Sequence, residues 1–111
     1  MWNIILLDDV EQWLLEQDDD AYATIAAAIE MLADKGPSLG RPFVDLVKGG
    51  KYKNLKELRP RGSNIRILFI FDPTQTAVLL VAGDKHGQWN NWYKGAMKEA
   101  ERKYGSWLDE L

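Results

Sequence analysis

Residues 65–82, IRILFIFDPTQTAVLLVA, constrain this chain more than any other stretch. Two apolar runs flank Asp72-Pro73-Thr74-Gln75, a set of residues that favours a tight reversal, so the segment reads as a β-hairpin. The first run alternates: Ile65, Ile67, Phe69 and Phe71 share one face, while Arg66, Leu68 and Ile70 share the other. The second, Ala77 to Ala82, is apolar on both faces and belongs in the middle of a sheet. Such a strand needs neighbours on both edges and helices to cover it.

The rest of the chain supplies them. Trp2 to Leu7 reads as a short strand ending at Asp8 and Asp9, which are placed to cap a helix carrying Val10, Trp13 and Leu14. Asp18-Asp19-Asp20 offers a second cap. Tyr22, Ile25, Ile29 and Leu32 then recur at helical spacing until Lys35-Gly36-Pro37 stops the helix. The three aspartates lack the alternating ligand pattern and closing glutamate of a calcium loop. Phe43 to Val47 reads as a short strand, Gly49-Gly50 as a turn, residues 53–59 as a strand and Pro60 to Asn64 as a turn. Trp89 to Trp107 is a long helix with Trp89, Tyr93, Ala96, Ala100 and Tyr104 along one side. The expected order is β-α-α-β-β-β-α. That is an α+β single domain over residues 1–111, with helices packed on an antiparallel sheet of about four strands.

Charge is distributed unevenly. Residues 41–66 hold eight basic and two acidic side chains, a net of +6; the remainder holds six basic and fifteen acidic, a net of −9. An acidic body with one basic strip can focus a small anionic site while repelling bulk polyanion. Arg59 ends one strand, Arg66 opens the next, Arg61 lies in the turn between, and Lys85 follows the third. Paired strands would bring Arg59 and Arg66 side by side, which is unfavourable unless an anion or a carboxylate lies between them. Glu57 or Asp84 could pair with Arg66; a phosphate is the alternative, because the guanidinium fork binds it at two points. His86 is the chain's one histidine. Trp92 and Tyr93 lie close by and offer rings on which bases can stack. With no cysteine, there is neither a disulfide framework nor a Cys-based zinc site. Glycine-rich phosphate loops of known spacing are missing as well. Metal-free phosphoryl chemistry or plain anion binding remains, with no cofactor expected. No apolar run is long enough for a membrane span, the opening residues do not read as a signal peptide, and a cytoplasmic location is expected.

The segments GPSLGRPFVD (36–45), NLKELRP (54–60), IRILFIFDP (65–73) and AVLLVAGDKHGQW (77–89) together resemble the RelE/ParE toxin superfamily. Within it they are most similar to the HigB-like, phage-derived branch of type II toxin–antitoxin systems. The resemblance implies a metal-independent endoribonuclease that cuts mRNA on the ribosome by attack of a 2′-hydroxyl on its own phosphate. It also implies a cognate antitoxin, commonly of helix-turn-helix type, with operator DNA reached only through that antitoxin. Arg66 falls at the family's phosphate-binding arginine, Arg59 at the arginine of the ELR motif and Lys85 at the basic residue after the last strand. Tyr93 falls near an aromatic of the final helix, and His86 is the local acid or base candidate. Lys53, Lys56, Arg61 and Trp92 are the expected RNA contacts. One departure concerns the base: where RelE itself carries catalytic lysines, the nearest position here is Glu57, with Lys53 and Lys56 out of step. The ParE branch, which shares the fold but acts on DNA gyrase, is the alternative implied function.

Overall fold

The computed structural model describes residues 1–86 and 89–111, the side chains of Trp89 and Asn90 apart. The elements are β1 (Ile4–Leu6), α1 (Asp8–Leu15), α2 (Asp19–Lys35), β2 (Val44–Leu46), β3 (Lys56–Leu58), β4 (Ile65–Phe71), β5 (Ala77–Asp84) and α3 (Trp89–Asp109), with a short 3₁₀ turn at Gly36–Ser38. The helices fall in the expected order, but the chain forms one strand more than the expected β-α-α-β-β-β-α, because the segment at 43–47 does supply a strand, β2. The sheet differs from the expectation as well: five strands run in the order β1-β5-β4-β3-β2, and β1 lies parallel to β5 while every other pair is antiparallel. Interior β5 has two edges whose amides and carbonyls need partners, and β4 serves only one. The N-terminal strand serves the other, with Ile4, Ile5 and Leu6 opposite Ala77, Val78 and Leu79. β3 is shorter than the expected 53–59 strand. Residues 52–55 turn instead, with the Leu55 amide donating to the Tyr52 carbonyl.

Two apolar layers enclose the sheet. On one face Val10, Leu14, Ile25, Ala28 and Leu32 from α1 and α2 pack on Leu58, Ile65, Ile67, Phe69 and Leu79. On the other, Ala96, Ala100 and Tyr104 of α3 pack on Leu68, Ile70, Val78, Leu80 and Val81. The inner stripe expected for α3 is thus observed at 96, 100 and 104; the side chain of Trp89 lies outside the described residues. Asp18 caps α2, its carboxylate accepting from the Ala21 amide at 2.8 Å. Asp8 and Asp9 do not cap α1. They lie within its first turn, and the N-cap is Leu7. At the end of α2, Gly36 has φ +58°, and the indole of Trp2 fills the space a side chain would need.

One irregularity in β5 decides what faces α3. Leu68 pairs with Val81 but Phe69 pairs with Leu79, so Leu80 is an extra residue, a bulge. Leu80 and Val81 consequently both face α3. The alternation slips by one, and Gly83 and Lys85 join the face that carries Arg66. The bulged Leu80 carbonyl accepts from Lys103 Nζ at 3.2 Å, and Lys103 is anchored in turn by Asp9 at 3.0 Å.

The hairpin turn is held by Asp72, which is only 4% exposed. Its carboxylate accepts from the Thr74 amide, the Thr74 hydroxyl, the Thr76 amide and the Trp107 indole N–H, at 2.7–3.0 Å. Burial acts to raise its pKa. The hydrogen bonds outweigh this and hold the carboxyl below the ordinary 3.8. Because the folded pKa is the lower one, the stabilisation is complete above the unfolded value and disappears as pH falls through the folded value. Asp72→Ala is expected to cost at least about 2 kcal/mol at neutral pH, as buried donors lose their acceptor. The difference from the parent chain should shrink below about pH 4, where denaturant titrations at several pH values would show it.

Candidate active site

The site forms where β3, β4, β5 and α3 meet. Glu57 sits in the middle of β3, directly opposite Leu68 of β4 and Asp45 of β2, so it points to the α3 face. It is 4% exposed. A carboxylate there needs strong partners, because an unpaired buried charge is costly. Arg59 supplies two bonds, from Nε at 3.0 Å and Nη2 at 2.7 Å, both to Oε2. Tyr93, reaching down from the first turns of α3, donates its hydroxyl to Oε1. Arg66 stands on the same side, its Nε 3.9 Å from Oε1.

Arg59 also approaches Asp45 at 3.4 Å, and Asp45 pairs with Arg41 at 3.1 Å. Asp45 and Glu57 are cross-strand neighbours of like charge, and the Arg59 guanidinium spans both. Burial acts to lower the pKa of Arg59, but the Glu57 hydrogen bond and the charges of Glu57 and Asp45 raise it overall. Arg66 is mostly enclosed. Its Nη1 donates to the carbonyls of Ser63 and Ile65 at 3.2 and 2.7 Å, which curls the guanidinium towards the 60–64 turn. The buried Nε has no hydrogen-bond acceptor among the described residues. Lys85, 1% exposed, belongs to the same cluster: burial, then the charges of Arg66 and Arg59, lower its pKa, with Glu57 opposing. Tyr93 is pushed up to about 12, first by burial and then by Glu57, so it keeps its proton across the physiological range.

Two guanidiniums, from the end of β3 and the start of β4, thus converge on one buried carboxylate, with Lys85 just past the end of β5 near enough for their charges to act on it. Beside them a cleft of about 420 Å³ opens, lined by Arg59, Arg61 and Arg66 and walled by Pro42, Phe43 and Pro60. Glu57, read from the sequence as a partner for Arg66 and as the residue nearest the position of RelE's catalytic lysines, is the hub of the cluster. The signal was its position as the sole acidic residue of β3, on the face towards which Arg66 points.

The other expected residues are dispersed. His86 is exposed at the rim, its ring against the Asn64 side chain at 3.1 Å and its amide on Asp84. Lys56 is on the wrong face: it pairs with Phe69, and its ammonium lies 5.6 Å from the Phe71 ring, on the α2 side of the sheet. Strand alternation separates it from Glu57 by one residue and one sheet face. Lys53 lies at the opposite end of β3 from Arg59, in a separate hollow with Lys48 and Tyr52. Trp92 packs with the α3-side core over Gly83, edge-on to Tyr93 with ring centroids 5.0 Å apart, and forms no wall of the arginine cleft.

Gly83 makes that packing possible. A Cβ there would lie 2.4 Å from the Trp92 indole nitrogen. Gly83→Ala is expected to displace Trp92 and with it the neighbouring Tyr93, at about 1–3 kcal/mol for overpacking. Trp92→Phe, which lacks the clashing nitrogen, should recover part of the loss in a double-variant melting experiment.

The α+β domain with its five-stranded mixed sheet has the RelE class of fold. The isolated Escherichia coli RelE toxin superposes with a TM-score of 0.63 at 9% identity, covering 88% of this chain and 97% of that one. A chain of the archaeal RelE–RelB complex from Pyrococcus horikoshii OT3 gives 0.62 at 14% identity, over 78% of this chain and 97% of that one. Residues 12–105 match the family described as "Phage derived protein Gp49-like (DUF891)", and the chain belongs to that family. It is 47% identical over 105 residues to "Putative toxin HigB3" of Mycobacterium tuberculosis, covering 95% of this chain and 92% of the relative. It is 43% identical over 108 residues to "Putative toxin HigB2" of the same organism, where it spans about half (54%) of the relative's length. The expected HigB-like kinship is borne out by the relatives, and the expected RelE-like fold by the structures. Among the described residues no helix is long and apolar enough to cross a membrane.

Proposed function

We propose that the chain is the toxin of a type II toxin–antitoxin pair, and that it cuts mRNA, on the ribosome, without needing a metal. The observation that carries this reading is the convergence of Arg59, Arg66 and Lys85 around Glu57 beside an open cleft. The 2′-oxygen attacks the neighbouring phosphorus and the bond to the 5′-oxygen breaks, leaving a 2′,3′-cyclic phosphate and a 5′-hydroxyl. Arg66 and Arg59 hold the non-bridging oxygens, whose charge rises in the transition state. The arriving phosphate competes with Glu57 for Arg59, and the released carboxylate takes the 2′-proton. Tyr93 and Lys85 are the donors facing the leaving 5′-oxygen, with His86 on the rim as the alternative acid. The RelE–RelB neighbour and the HigB relatives support an antitoxin partner, expected to be of helix-turn-helix type and to mediate any contact with operator DNA. Induced expression in cells tests the reading. Loss of messages at defined cleavage points is the expected result; DNA breaks with intact messages would point to gyrase instead.

A further inference from the structure

Phe43 is a half-buried aromatic that joins neither apolar core. It walls the arginine cleft on one side. On the other it bounds a hollow of about 390 Å³ formed with Thr24, Ala27 and Met31 of α2, and Arg61 borders both spaces. Its backbone is tied to the phosphate site: the Phe43 carbonyl accepts from the Arg59 amide at 2.8 Å, and its own amide donates to the Gly40 carbonyl at 3.0 Å. Arg61 is exposed on the turn two residues beyond Arg59 and forms no salt bridge to the described residues. A half-buried ring flanked by an exposed cation suits one nucleotide of a single strand, since every base has a face that stacks and every linkage carries a charge.

We propose that Phe43 and Arg61 form a nucleotide subsite next to the phosphate site, where an unpaired base stacks on Phe43 and Arg61 holds the phosphate flanking it. This rests on the nuclease reading above and names the part of the substrate that the cleft beyond the reacting phosphate receives. It needs no 2′-hydroxyl, so it can be tested without cleavage.

The test uses the full chain and fluorescein-labelled deoxyhexanucleotides, intact or carrying an abasic residue at each position in turn, with affinity read by anisotropy. Phe43→Ala should weaken binding of the intact oligomer about 5- to 100-fold, the range for one stacked base. It should change binding of the best-matched abasic oligomer less than about twofold, because that oligomer has already lost the stack. Phe43→Tyr should restore the wild-type preference. Arg61→Ala should weaken both oligomers and lower the salt slope by about 0.7, the loss of one phosphate contact on a single strand. Equal weakening of both oligomers by Phe43→Ala would overturn the stack and leave a scaffolding ring. No change in either would reserve the ring for something else, such as a protein segment, and overturn it too. So would failure of the wild-type chain to bind the intact oligomer. RNA left uncut by the wild-type chain, or cut at an undiminished rate by Arg66→Ala, would sink the nuclease reading of this site separately, because the abasic comparison makes no use of cleavage.

Discussion

Replacing Glu57 with alanine is expected to lower the thermal midpoint by about 10 °C or more, and inorganic phosphate is expected to restore much of it. Glu57 is buried and compensates Arg59 and Arg66, with Lys85 close enough for their charges to act on it. Removing one partner of a buried pair costs roughly 3–5 kcal/mol, because the remaining charges keep their desolvation without their attraction. For a domain near this size each kcal/mol moves the midpoint by about 4 °C or more. The same vacated place should then take an anion, whose binding to the folded chain alone raises stability with concentration. Glu57→Gln should fall between the two, keeping an acceptor for Tyr93 and Arg59 but no charge. Melting curves with increasing phosphate, compared with chloride at matched ionic strength, read the effect directly. An alanine variant as stable as the parent and indifferent to phosphate would mean that the cluster is not an anion seat.

Replacing Arg66 with alanine is expected to reduce RNA cleavage by about 10²- to 10³-fold, the usual cost of losing one donor to a developing oxyanion. The fold should survive. Glu57 keeps the two bonds from Arg59 and the one from Tyr93, whereas Arg66 approaches it only at 3.9 Å. Arg66→Lys keeps the charge but not the planar fork, and should recover only a small part of the rate. Single-turnover cleavage beside a melting curve separates the outcomes. If the alanine variant unfolds, Arg66 served chiefly as a structural partner of Glu57.

Much of this arrangement is readable from residue order. The hairpin β4–β5 is announced by its turn residues and its apolar runs, and α2 by Asp18 at its start and Gly36 at its end. The alternation of Ile65, Ile67 and Phe69 already puts Arg66 on the opposite face. The parallel β1–β5 pair is not readable, because its partners lie some seventy residues apart and no local residue marks the pairing. Nor is the Leu80 bulge, since a Leu-Leu-Val run contains no glycine or turn residue to betray an extra position. Yet that bulge brings Gly83 and Lys85 to the site. The run of basic residues along 41–66 marks the strip but not its faces. Lys56 and Glu57 are neighbours in sequence and lie on opposite sides of the sheet. Trp92 and Tyr93 are likewise adjacent, and the space over Gly83 decides which of them packs there.

The chemistry of the cut ends tests the central claim most directly. Purified chain, with ribosomes and a defined message in the presence of a metal chelator that leaves ribosome-bound magnesium in place, should yield fragments ending in a 2′,3′-cyclic phosphate or 3′-phosphate and beginning with a 5′-hydroxyl. Mass spectrometry identifies both, and Arg66→Ala should remove them. Uncut message, or fragments that begin with a 5′-phosphate, would contradict attack by the RNA's own 2′-oxygen on a phosphate held by Arg59 and Arg66.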